Sequence, residues 1–523
     1  MLEPYKKAMS CRREELRDHR AMGRAENFEK NALVEEIEKL ENLKIDLEHR
    51  ISLLQTQLEQ EHEEEQEQEQ EQEQERGQEQ EQEHTPTIRA ETDCSLRWEA
   101  VSGHGLSAQM IQRYSRHLLL PAFGVEGQSK LLKSSVLLVG AGGLGSPAAL
   151  YLSACGIGCL GIIDYDTVEM NNLHRQVIHT EANIGKSKVK SAAAACHAIN
   201  STLKIVEYMD ALNTANALHI VAKYDMVVDA TDNISTRYLI NDACVILGKP
   251  LVSGAALGLE GQLTIYHYNQ GPCYRCLFPT PPPVDACQRC SDNGVLGVVP
   301  GIIGCLQALE AIKIASGVGD PLSGRMLIFD ALPTRIYTVK LRGRSPKCII
   351  CGDNPEMSSE NFQNFDYEKF TQSPMSDKAP LSLDILPSSQ RVTSREFRQH
   401  QESGKPYVLV DVREDHQYKI ASLPNSLNIP FSRLETQVCI VQEAVKNMSV
   451  KSTSQEPMLF EKPNGTTLEQ VSSSVQLYVI CRRGNDSQRA VQYLHGQGFH
   501  AVHDIIGGLE AWTKEVDHNF PSY

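Results

Sequence analysis

Four sets of residues in this 523-residue chain carry chemistry in their types and spacing. Gly140-Ala-Gly142-Gly143-Leu-Gly145 follows the apolar run Ser135-Val-Leu-Leu-Val139. Glycines so placed let the backbone turn tightly and approach a phosphate at a helix N-terminus, although a plain strand-to-helix turn has the same pattern. Asp164, at the end of Leu160-Gly-Ile-Ile, stands at about the spacing of a ribose acid. A dinucleotide needs little more, whereas a triphosphate needs cations and a carboxylate for Mg2+. Arg175 and Lys188 supply the charge and Asp232 the carboxylate, which favours ATP over NAD.

The cysteines form the other two sets. Cys273-Tyr-Arg-Cys276 and Cys348-Ile-Ile-Cys351 are C-x2-C knuckles that can close a tetrahedral Zn2+ site and clamp distant segments. Cys287-Gln-Arg-Cys290 is a third pair, able to replace one knuckle, act as a redox dithiol, or hold one nucleophile beside a spectator. Cys481 ends the strand-like run Gln476-Leu-Tyr-Val-Ile480, ahead of Arg482-Arg483-Gly484-Asn485-Asp486-Ser487. A thiol there meets backbone N–H groups at the positive end of a helix, which should lower its pKa and hold an anionic sulfur species.

The elements that position these residues follow from hydrophobic period. Strand patterns at 135–139, 160–164, 225–229, 250–253 and 262–267, with an alanine-rich helix at 147–154, describe an α/β, Rossmann-like domain with a mostly parallel sheet. A smaller α/β region begins at Arg391, with strands at Tyr407-Val-Leu-Val-Asp411, Leu427-Asn-Ile-Pro430 and 476–480. Between the last two, residues 437–475 look like a mobile insertion, and the polar stretch before 386 looks like a linker. Domain limits of 1–106, 107–355, 356–385 and 386–523 follow. Within the first of these, Leu33, Ile37, Leu40, Leu47, Ile51, Leu54 and Leu58 fall on a 3-4 spacing. That suits a coiled coil or an amphipathic surface helix. Residues 59–83 are almost pure Glu and Gln, with no apolar face to bury.

The net charge of −16 argues against nucleic-acid binding driven by phosphate neutralisation. Fifteen cysteines without a secretory apolar region suggest reduced cytosolic thiols. The apolar stretch 295–308 contains Pro300 and Gln307, making it a better core segment than membrane span. A soluble, cytoplasmic protein is expected.

Gly140 to Gly145, Asp164-Tyr-Asp166, Asn172-Leu-His-Arg175-Gln176, Lys188, Thr231-Asp232-Asn233 and the two outer cysteine pairs resemble the adenylylating enzymes that activate ubiquitin-like sulfur carriers. Cys481 to Ser487, Asp411-Val-Arg413 and Gly507-Gly-Leu-Glu-Ala-Trp512 resemble a rhodanese domain. The resemblance covers roughly residues 105–355 and 386–523 and implies an adenylyltransferase joined to a sulfurtransferase. It implies ATP contacts from Gly143, Asp164, Asn171, Asn172, Leu173, His174, Arg175, Lys188 and Asn233, and Mg2+ on Asp232. It further implies Zn2+ on Cys273, Cys276, Cys348 and Cys351, and catalytic roles for Cys290 and Cys481. Arg116 matches an arginine that reaches a neighbouring subunit's triphosphate, implying a homodimer. Implied partners are carriers ending in Gly-Gly and a cysteine desulfurase, serving molybdenum cofactor synthesis and tRNA thiolation, without direct nucleic-acid or membrane contact. Cys287 departs from the family pattern and leaves a disulfide with Cys290 open. The alternative is an activator that stops at a thioester for conjugation, with the rhodanese part as a binding module.

Overall fold

The computed structural model describes residues 105–282, 294–375, 383–453 and 475–523. The heptad stretch, the Glu/Gln tract, Cys287 and Cys290 lie outside the described residues.

The first domain is built on an eight-stranded sheet in the order β3-β2-β1-β4-β5-β6-β7-β8. Its parallel part comprises β1 (Ser135–Val139), β2 (Cys159–Ile163), β3 (Lys204–Tyr208), β4 (Met226–Asp229) and β5 (Leu251–Leu257). The order 3-2-1-4-5 puts a topological switch between β2 and β4 on either side of β1, and open α/β sheets bind ligands beyond the strand ends at such a point. β6 (Glu260–Tyr266), β7 (Arg325–Asp330) and β8 (Arg335–Lys340) extend the sheet antiparallel. Side chains alternate across β1, so Val136 and Leu138 enter one core while Leu137 and Val139 enter the other.

The first core is closed by the helices Gly145–Cys155 and Val298–Ser316. The latter has the length and composition to cross a membrane. Here it packs on β5 and buries Val299, Ile303, Ala308 and Ala311, in keeping with a core segment. The second core, against the helix Ile234–Ile246, gathers Tyr238, Leu239, Cys273, Cys276, Phe362 and Tyr367.

Two stretches differ from their sequence reading. The expected linker 356–385 folds, as far as residue 375, into helices Ser359–Gln363 and Tyr367–Thr371, because Met357, Phe362 and Tyr367 find buried places in the second core. The expected insertion starts as a helix, Leu434–Thr453, whose Leu434 and Val441 join the core of the second domain. Polar composition hid both, since one apolar residue per turn is enough to dock a helix over one.

The second domain carries five parallel strands in the order β11-β10-β12-β13-β9. They are β9 (Arg391–Val392), β10 (Tyr407–Asp411), β11 (Ser426–Asn428), β12 (Gln476–Ile480) and β13 (Val502–Ile505). Central β12 is buried along Leu477 to Ile480 and delivers Cys481 at its end.

Candidate active sites and metal centre

Gly140 leaves β1 with φ +99°, and a Cβ there would lie 2.8 Å from the Ala230 carbonyl after β4. A Cβ on Gly145 would lie 2.0 Å from the Gly140 carbonyl. Both positions therefore require glycine, and the turn is held against the switch point. Asp164 braces it: Oδ2 accepts from Ala141 N at 2.8 Å and Oδ1 from Asp166 N at 2.8 Å. The acid spaced for a ribose thus also shapes the glycine turn.

Arg175 stands on the same side, its Cγ 3.5 Å from where a Gly143 Cβ would be. Its Nη1 donates to the Asn171 carbonyl and bonds His174 Nε2, both at 2.8 Å. Burial, then the charge of Arg175, lowers the His174 pKa, leaving that ring neutral. Asn172 is buried, closes a capping box with Glu169 and bonds Asn171, while Leu173 is half-buried in the same turn. Lys188 is paired with Asp166 at 3.0 Å, its side chain 8% exposed. Asp166 was not singled out as a functional residue in the sequence, although its place two residues after the ribose acid was a usable signal.

Asp232 is exposed beyond β4, beside Asn233, which caps the next helix by accepting from Thr236 N at 2.8 Å. Buried Asp229 faces the other way, pairing with Arg237 at 3.1 Å and accepting from Thr231 and Ser253. Asp232 is thus the acid offered outward, and one outward carboxylate suits Mg2+, which takes its remaining oxygens from phosphates and water. Arg116 is exposed on the helix Ser115–Leu118, and no hydrogen bond or ion pair joins it to the other site residues among those described.

The four outer cysteines converge. Their sulfurs lie within 4.8 Å of one another, with individual separations of 3.3 to 3.8 Å. Zn–S bonds of about 2.3 Å at tetrahedral angles put sulfurs about 3.8 Å apart, so the set fits Zn2+. Ser345 N donates to Cys276 Sγ at 3.3 Å, a backbone bond that orients a ligand. Between the first two ligands, Arg275 forks onto Asp242, with Nε at 2.8 Å from Oδ1 and Nη2 at 2.7 Å from Oδ2. Tyr367 donates to the same carboxylate at 2.8 Å, and the rings of Tyr238, Phe365 and Phe370 surround the guanidinium at 4.7 to 5.2 Å.

In the second domain, Cys481 is 3% exposed in the turn between β12 and the helix Asp486–Gly496. Gly484 N donates to its sulfur at 3.1 Å and Ser487 Oγ lies 3.3 Å away. These donors were legible in the sequence, but the expected acidic thiol is corrected. Burial outweighs them and pushes the Cys481 pKa up, with Asp486 adding to the rise. Glu510 holds Arg483 at 2.8 Å and Arg482 at 3.4 Å, keeping two cations beside the loop. Arg413 forks onto Asp411 and donates to the Ala421 carbonyl at 2.7 Å, fixing the neighbouring strand end. Ser487 also bonds buried Asp504, a residue no sequence motif marked.

A glycine-loop α/β domain with a four-cysteine knuckle, joined to a parallel domain that presents a cysteine loop, defines a two-part enzyme for adenylyl and sulfur transfer. Residues 114–350 match the ThiF family and residues 393–515 the rhodanese-like domain. The chain is 55% identical to the adenylyltransferase and sulfurtransferase MOCS3 of Arabidopsis thaliana, over 94% of this chain and 98% of that one. It is 62% identical to MOCS3-2 of Zea mays over 80% and 82%, and 46% identical to MOCS3 of Sus scrofa over 80% and 89%. The chain belongs to the MOCS3 family and is an adenylyltransferase and sulfurtransferase.

Proposed function

We propose that this enzyme adenylylates the C-terminal glycine of a ubiquitin-like sulfur carrier and converts it to a thiocarboxylate with sulfur from Cys481. A carboxylate is a poor electrophile because oxide leaves badly. In the first step it attacks the α-phosphorus of ATP and expels pyrophosphate. Arg175 and Lys188 stabilise charge on the phosphates, Lys188 exchanging its Asp166 oxygen for a phosphate oxygen. Asp232 and the phosphates would hold Mg2+, which supplies charge neutralisation when bound. Asp164 and the segment 171–175 orient the nucleotide, and exposed Arg116 reaches the site of a second subunit. The four thiolates hold Zn2+ as a structural clamp.

In the second step the terminal sulfur of a Cys481 persulfide, loaded by a cysteine desulfurase, attacks the acyl-adenylate and expels AMP. An acyl disulfide to Cys481 results. Attack by the Cys290 thiolate on Cys481 Sγ frees the thiocarboxylate and leaves a Cys290–Cys481 disulfide, which an external dithiol reduces. The observation that carries this reading is the presence in one chain of a glycine turn flanked by Arg175, Lys188 and Asp232 and of a Cys481 sulfur held by the Gly484 N–H at 3.1 Å. Gly294 accepts from Gly258 N at 3.0 Å, and a Cβ on Gly297 would lie 2.2 Å from the His174 carbonyl, beside Arg175. Cys290 lies four residues before Gly294 in the sequence. A reducing, cytosolic setting is part of the proposal, since it keeps the reactive thiols available. Molybdenum cofactor synthesis and tRNA thiolation are the uses we propose for the product.

The test is mass spectrometry of a Gly-Gly-ending carrier incubated with enzyme, MgATP, a persulfide donor and a dithiol. Thiocarboxylate from the parent and only adenylate from Cys481→Ala is expected. Carrier joined to Cys290 as a stable thioester, indifferent to Cys481→Ala, would favour activation for conjugation and refute the sulfur relay.

A further inference from the structure

The segment that joins the two domains is bonded, at each end, to a catalytic element. On the adenylylation side Asn233, next to Asp232, donates its Nδ2 to the Met375 carbonyl at 2.5 Å. Ser235, in the first turn of the helix that Asn233 caps, shares a 2.6 Å hydrogen bond with Thr371 and donates to the Ser373 carbonyl at 2.7 Å. Ser235 and Thr371 are buried, and Met375 N is held by Glu368 at 2.7 Å. On the sulfur side Leu383 N donates to Asn485 Oδ1 at 3.0 Å and Ile385 N to Gln488 Oε1 at 3.2 Å. Gln488 Nε2 then donates both to the Leu383 carbonyl, at 2.6 Å, and to the Gly484 carbonyl, at 2.7 Å. Gly484 is also the residue whose N–H holds the Cys481 sulfur.

We propose that this connection is a clamped tether, and that Asn233, Ser235, Asn485 and Gln488 are positioning residues that set the reach of Cys481 toward the adenylate. The proposal rests on the sulfur-relay reading above. Seven residues, 376–382, separate the two clamps. Eight extended Cα–Cα steps span at most about 28 Å, so Cys481 cannot stray farther than that, plus the width of its own loop, from the Asp232 side of the nucleotide site. A buried hydroxyl pair and a buried glutamine that donates to two carbonyls are costly to undo, which keeps the span between the anchors short. A short span between anchors raises the effective concentration of the persulfide at the adenylate, which falls roughly as the −3/2 power of connecting length.

The experiment is single-turnover transfer from a preloaded Cys481 persulfide to a Gly-Gly-ending carrier in the full chain. Carrier-dependent ATP–pyrophosphate exchange and persulfide loading are measured beside it. Tripling the seven-residue span with Gly/Ser should slow transfer about fivefold while exchange and loading keep the parent values. Thr371→Val removes the hydroxyl shared with Ser235 but leaves the bonds of Ser235 to Ser373 and of Asn233 to Met375. Loosening one of the bonds at that end should slow the parent by less than the fivefold of the lengthened chain, and should slow the lengthened chain by a smaller factor than the parent. A merely destabilising change would slow both alike. Transfer at the parent rate in the lengthened chain would overturn the tether. A parent chain that forms adenylate but no thiocarboxylate would overturn the sulfur relay itself and the tether with it.

Discussion

Replacing Arg275 by methionine should destabilise the first domain more than any exposed ion pair could. The guanidinium is 2% exposed and makes three hydrogen bonds to Asp242. Without it, Asp242 keeps, among the described residues, Tyr367 at 2.8 Å and Asn241 Nδ2 at 2.9 Å against a buried charge. Breaking one side of a buried pair costs about 3 to 5 kcal/mol, because the other charge is left uncompensated. At about 2 to 4 °C per kcal/mol for a domain of this size, the midpoint should fall by about 6 to 20 °C. Scanning calorimetry on the zinc-loaded enzyme reads the shift. The double variant Arg275→Met with Asp242→Leu removes both charges, and it should lie above the sum of the single losses by more than about 2 kcal/mol. A shift under about 2 °C, or simple additivity, would refute the argument, since it would mean that the carboxylate was never left stranded.

Two further outcomes are expected. The enzyme should carry one zinc per chain by elemental analysis, and Cys348→Ala should lose it together with thermal stability, because metal binding and closure of the 75-residue loop are one event; full zinc retention would contradict the four-thiolate site. Alkylation of Cys481 by iodoacetamide should have its pH midpoint above the ordinary thiol value of about 8.5, moving down in Asp486→Asn and up in Ser487→Ala. The native state keeps a proton that the unfolded chain loses, so this group's contribution to stability declines as pH rises past that ordinary value, and a midpoint below it would show the helix-end donors winning over burial.

Local chemistry was readable in the sequence, and long-range pairing was not. A strand that stops in Gly140 to Gly145, or C-x2-C knuckles, declare themselves within a dozen residues, and the structure brings both sets together as expected. Asp242, Arg275 and Tyr367 each look like surface residues in their own windows, and meet across up to 125 positions. Strands β3, β7, β8, β9 and β13 went unread; β3, β8 and β9 lie at sheet edges, where alternation is weak, and β8 is exposed along its whole length. The direction of the Cys481 shift failed for a related reason. Its donors are local, whereas the burial that overrides them comes from packing of elements far along the chain.

The separation of the knuckles also has a consequence in time. Synthesis runs at about 5 to 20 residues per second, so roughly 4 to 15 s pass between the emergence of Cys273 and that of Cys348, and more before Tyr367 follows. Through that interval the nascent sheet has its glycine turn and its switch point but lacks two ligands for the metal and the phenol that helps hold Asp242. The nucleotide-binding half is therefore committed before the half that locks it. A metal taken up by the four cysteines could complete the domain only as the last of its residues arrive, which would make metal supply a checkpoint on biogenesis rather than on turnover.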